Sequence, residues 1–81
     1  MEKTQILENL QRIFRDVFDE SDLVLTHTTS ADDIEEWDSL NQIKIILRCE
    51  EVFGVPLNAR KISTLSDVGE MVDYLYESVA A

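Results

Sequence analysis

The residue with the most chemical promise is Ser39, a hydroxyl set between Asp38 and Leu40 where a polar stretch gives way to an apolar one. Taken alone, an Asp-Ser-Leu tripeptide at such a boundary reads as a helix N-cap, with Asp38 or Ser39 accepting a bond from a free backbone N–H of the first turn. Nucleophilic catalysis is the more ambitious reading, and it needs a base. His27 is the only histidine, and with Asp38 it completes the residue types of a Ser–His–Asp set. An aspartate beside the serine cannot orient a histidine lying far away in the chain, however. The size of the chain is against it too: 81 residues bury roughly 60% of the surface of the unfolded chain, and a core that modest offers no substrate cleft. No catalytic residue is assigned. No metal ligands are assigned either: His27 has no second histidine, Cys49 is the single cysteine, and Asp32, Asp33, Glu35 and Glu36 lack the spacing and central glycine of a calcium loop.

The same composition bounds the setting. The length fits one small domain, here taken as residues 1–81 with a core over about 4–76. One cysteine excludes an intrachain disulfide and fits a reducing compartment. The residues after Met1 are charged, and no apolar run reaches membrane-spanning length, so the expectation is a cytoplasmic monomer without a membrane span. Seventeen acids against seven Lys and Arg give a net charge of −10, which repels nucleic acid and draws in basic protein surfaces. Nine of those acids fall between Asp16 and Asp38, where there is no Lys or Arg.

The elements that must position Ser39 read as helices, since two glycines and one proline supply little turn chemistry for a β fold. Ile6, Leu10, Ile13 and Val17 repeat at helical spacing, with Leu7, Phe14 and Phe18 widening the face, and they predict a first helix over 4–18 with Thr4 as its cap. A long loop follows over about 21–37. Its run Thr26-His27-Thr28-Thr29-Ser30 favours local side-chain bonds over a helix, and Leu25, Ile34 and Trp37 are its expected pins. The second helix spans 39–53 and carries apolar residues on several sides, from Leu40 and Ile43 to Ile46, Cys49 and Phe53. Gly54 stops it and Pro56 prevents it from resuming. Leu57–Ile62 has room for one short helix, and Thr64 with Asp67 predicts the start of a last helix striped by Leu65, Val68, Met71, Val72 and Leu75. The expected fold is all-α, a small four-helix bundle with a long first loop and a short third helix. Its core is expected to hold Ile6, Leu10, Phe14, Ile43, Ile46, Phe53, Val68, Val72 and Leu75.

Several of these segments together resemble the acyl carrier protein family and its peptidyl and D-alanyl carrier relatives. The resemblance is carried by Trp37-Asp38-Ser39-Leu40, then Ile43, Ile46, Glu50-Glu51 and Phe53-Gly54-Val55, and by Ile62-Ser63-Thr64-Leu65-Ser66-Asp67-Val68 with Asp73-Tyr74-Leu75. It implies a non-catalytic carrier whose Ser39 receives 4′-phosphopantetheine from coenzyme A, flanked by Asp38 and Leu40. The implied partners are a phosphopantetheinyl transferase, an acyl- or aminoacyl-loading ligase or transferase, and a synthase or acyltransferase that consumes the thioester. The physics of the position agrees, because a hydroxyl at a helix start is exposed and meets partial positive charge that favours a phosphodiester. Asp38 works against that, and is expected to serve recognition by the transferase. Asn41 and Lys44 stand where the fatty-acid-type pattern favours acids, Arg48 adds a second cation, and Leu57–Lys61 lacks the usual acids. These departures, with Trp37 before Asp38, point to a stand-alone carrier of a specialised polyketide, nonribosomal peptide or similar pathway.

The arm can enter an enzyme only if that enzyme rests on the surface around Ser39, so Leu40, Asn41, Lys44 and Leu47 are the expected docking residues. The rival from another class is an acidic helical adaptor without a prosthetic group, in which Ser39 stays unmodified. A small serine hydrolase is the other, and it predicts labelling of Ser39 by an acylating probe.

Overall fold

A computed structural model of the chain describes residues 2–80. Among the described residues the regular elements are helices: α1 (Lys3–Phe18), α2 (Ser39–Phe53), α3 (Ala59–Ser63) and α4 (Val68–Ala80). The all-α expectation holds, with the long loop between α1 and α2 and the short third helix in their places.

α1 presents Ile6, Leu10, Ile13, Phe14 and Phe18 to the core, one apolar stripe at helical spacing. It packs against both α2 and α4. Thr4 does not cap it. The helix starts at Lys3, and Gln5 reaches back so that its Oε1 accepts from the Glu2 amide at 3.0 Å, which leaves Thr4 inside the first turn. At the other end Asp19 takes a left-handed conformation (φ 53°) and its amide donates to the Arg15 carbonyl, a position that Asp tolerates better than most residues.

α2 begins and ends where its caps dictate. Asp38 accepts from the Asn41 amide at 2.9 Å, and Gly54 closes the helix at φ 67°, a backbone region that glycine enters without strain. Its buried residues are Ile45, Ile46, Cys49 and Phe53, whereas Ile43 is 54% exposed. The assignment of Ile43 to the core is therefore corrected in favour of Ile45. Two residues along a helix are about 200° apart around its axis, so both cannot face inward. Burial of Cys49 pushes its thiol up to about 12, with a smaller push from Glu50, as befits a structural residue.

The α4 start is also corrected. Thr64 closes α3, its hydroxyl donating to the Lys61 carbonyl at 2.7 Å. α4 starts beyond it, where Asp67 Oδ1 accepts from the Glu70 amide at 2.9 Å. Asp67 outcompetes Thr64 because the threonine hydroxyl is already spent on the preceding helix.

The long loop is held by its own residues and by two helices. Leu25 and Ile34 are buried, and Trp37 stands edge-on to Phe14 with ring centroids 5.0 Å apart. Gln11 Oε1 accepts from the Leu25 amide at 3.0 Å, and Arg15 Nε donates to the Leu23 carbonyl at 2.7 Å. On the other flank, the amides of Val68 and Gly69 each donate at 2.8 Å, to the carbonyls of Thr29 and His27. The first turn of α4 thus uses two otherwise unpaired donors to fix the loop that leads to Ser39.

Candidate functional site

Ser39 is the first residue of α2 and is exposed. Capping belongs to Asp38, so the serine hydroxyl is not needed to hold the helix. Among the described residues Ser39 Oγ has no hydrogen-bond partner, and neither do the amides of Ser39 and Leu40. An exposed hydroxyl therefore stands beside two free N–H donors at the positive end of a 15-residue helix. That fits a phosphodiester on Oγ, whose oxygens can accept from the free donors. The exposed Asp38 carboxylate lies at the same end and opposes the added charge, so the site tolerates the phosphate more than it attracts it.

The serine is held in place by the loop behind it. Trp37 Nε1 donates to Gln42 Oε1, and Asn41 Nδ2 donates to the Glu36 carbonyl at 2.7 Å. These two bonds tie both sides of Asp38-Ser39 to the first turn of α2. Gln42 was not legible as a site residue, since a lone glutamine in a helix carries no pattern. Asn41 proves to have a structural tie beside its place on the expected docking face.

Beside Ser39 runs an open groove of about 310 Å³, bounded by α2, α3 and the start of α4. Trp37, Gln42, Ile62, Leu65 and Met71 are among its walls. A groove here runs against the expectation that so small a core offers no cleft. It arises because the five-residue α3 is too short to cover the space between its longer neighbours. His27 takes no part: its side chain is exposed in the loop, and its carbonyl serves as the acceptor for Gly69. Among the described residues no cluster of His, Cys, Asp and Glu is arranged to hold a metal.

The expected docking residues lie together on the outer side of α2. Leu40 is 63% and Leu47 54% exposed, and Lys44 is exposed between them. Arg48 Nη2 is engaged with Asp16 at 3.0 Å, whereas Lys44 has no ion pair among the described residues.

Comparison with known proteins gives this geometry its class. The phosphopantetheine attachment site family matches residues 8–75, and the chain belongs to that family of acyl carrier proteins. An acyl carrier protein of Rubrobacter xylanophilus is 30% identical over 81 residues, and the match spans all of both chains. One from Thermosynechococcus vestitus is 29% identical over 82 residues, again across the whole of both. The solution structure of a holo acyl carrier protein from Geobacter metallireducens superimposes with a TM-score of 0.83 at 36% identity, covering 91% of this chain and 85% of that one. The protein is accordingly a non-catalytic acyl carrier, and its prosthetic group is 4′-phosphopantetheine. No described helix is long and apolar enough to cross a membrane.

Proposed function

We propose that Ser39 is the attachment residue and that the protein is a cytoplasmic, monomeric, stand-alone carrier forming a single domain. The observation that carries this is the exposed Ser39 hydroxyl at the first residue of α2, next to two free backbone donors. On a phosphopantetheinyl transferase, Ser39 Oγ would lose its proton and bond to the pantetheine-side phosphorus of coenzyme A, taking the 4′-phosphopantetheinyl group as the pyrophosphate P–O bond breaks and the adenosine 3′,5′-bisphosphate leaves. The Ser39 and Leu40 amides are the donors that would hold the phosphodiester, and Asp38 would serve recognition by the transferase and not the product. When bound, the arm supplies a terminal thiol that carries acyl or aminoacyl groups as thioesters. A loading ligase or transferase and a synthase or acyltransferase then meet the carrier at the start of α2, on Leu40, Asn41, Lys44 and Leu47. Tethering makes each delivery depend on that docking, which sets the effective concentration of cargo at the enzyme.

A specialised polyketide, nonribosomal peptide or similar pathway is the reading that Asn41 and Lys44 support, because they stand where the fatty-acid-type pattern favours acids, and Arg48 adds a second cation. Intact mass spectrometry of the protein from its native host tests both levels at once. The expected result is the mass of the arm on every functional molecule, with a retained acyl group naming the pathway. A protein that stays unmodified with transferase and coenzyme A present would instead be an acidic adaptor.

A further inference from the structure

The chain as a whole and the outer face of α2 differ in sign. A net charge of −10 calls for basic partners by simple attraction. Yet from Ser39 to Cys49 the helix holds Lys44 and Arg48 and no carboxylate. Arg48 is neutralised locally by Asp16 at 3.0 Å. Lys44 is left as an unpaired cation among the described residues, in the middle of an apolar row. That row includes Ile43, which is half exposed like Leu47 and lies four residues before it. Leu40, Ile43 and Leu47 recur on one side of the helix, with Lys44 one turn from Leu40.

Covering such a row removes water from around Lys44 as well. A basic group on the partner would then face a cation in a drying interface, whereas a carboxylate there offsets the lost hydration. Resting on the reading of α2 as the docking face, we propose that Leu40, Ile43, Lys44 and Leu47 take an apolar partner surface bearing a carboxylate opposite Lys44. The acids at the other end of the face, Glu35, Glu36 and Asp38, repel that carboxylate. The partner is thereby oriented with its carboxylate over Lys44, away from those acids, and its arm entrance toward Ser39. The local cation, and not the overall charge, selects the partner.

The probes are two synthetic amphipathic helical peptides with the same leucine row, one flanked by glutamates and the other by lysines. Each is titrated into the full-length ¹⁵N-labelled chain while amide shifts are followed. The glutamate-flanked peptide is expected to move the amides of residues 40–47. Lys44→Glu should weaken it roughly tenfold or more, since an attraction becomes a repulsion in an interface that excludes water. Ile43→Ser should weaken it too, with the melting curve of the chain little changed. The lysine-flanked peptide is expected among the acids of the loop and not on this face. Tighter binding of the lysine-flanked peptide at residues 40–47, failure of the glutamate-flanked peptide to bind there, or indifference of its affinity to Lys44→Glu would each overturn the proposal. Arm transfer to the same chain, read by mass, is a separate outcome: its failure would overturn the carrier reading, and its success beside a negative titration would overturn the partner chemistry alone.

Discussion

Gly69→Ala should destabilise the protein although alanine is the better helix former. A Cβ built on Gly69 would lie 2.7 Å from the His27 carbonyl oxygen and 3.3 Å from both Asp67 Oδ1 and His27 Cβ. The nearest atom is backbone, so the loop must retreat from α4. Retreat stretches two bonds, Gly69 N to His27 O and Val68 N to Thr29 O, both 2.8 Å. Forced overpacking costs about 1–3 kcal/mol, and a weakened backbone bond adds about 0.5–1.5 kcal/mol. Against this, exchanging glycine for alanine in a helix returns about 0.5–1 kcal/mol. With each term at mid-range the balance is a loss of about 2 kcal/mol, or roughly 8–16 °C in Tm for a domain of this size. Thermal and urea unfolding followed by circular dichroism measure it, and faster amide exchange at residues 68 and 69 would locate the damage. A Gly69→Ala protein as stable as the parent or more so would mean that helix propensity, and not the close approach of the His27 carbonyl, decides the outcome.

The two isoleucines of α2 should part company on truncation. Ile45→Ala removes a fully buried side chain and should cost about 2–5 kcal/mol, while Ile43→Ala should stay within about 1 kcal/mol; similar losses in urea titrations would contradict the burial assignment. Cys49, pushed up to about 12 by burial, should resist alkylation in the folded protein at pH 8 and react once urea unfolds it. Its folded state keeps the proton that the unfolded state releases from about pH 9. Stability should therefore fall as pH rises above that value, by up to about 1.4 kcal/mol per pH unit, and unfolding curves of Cys49→Ala should show a shallower fall.

The legible parts of the fold are those where one local signal has no competitor. Gly54 followed by Pro56 ends α2 at Phe53 because no neighbouring residue offers the same chemistry, whereas at its start Asp38 and Ser39 are both candidate caps and only the structure gives the role to Asp38. The stripe of α1 likewise leaves one solution for Ile6, Leu10 and Phe14. Thr64 misled because two sites claimed its hydroxyl, and only the three-dimensional course of α3 decides between them. Ile43 misled because α2 is apolar on several sides, so period alone does not choose which side faces inward. For the candidate site, the place of Ser39 at the start of α2 is legible through the change from polar to apolar residues around Asp38 and Leu40. The groove was not, because it depends on the gap left by α3. Gly69 was silent for a related reason: a glycine in a first helical turn declares nothing until the His27 carbonyl is placed against it.

Whether Ser39 carries the arm is decided by arm transfer measured on two proteins. The parent chain and Ser39→Ala are each incubated with a broad-specificity phosphopantetheinyl transferase, coenzyme A and magnesium, and then weighed intact. Because Asp38 caps α2 and the Ser39 hydroxyl holds nothing, Ser39→Ala should stay folded by circular dichroism. The parent should gain one arm, mapped to Ser39 by fragmentation, and the folded variant should gain none. An arm on the Ser39→Ala protein, or a parent chain that remains unmodified, would show that Ser39 is not the attachment residue.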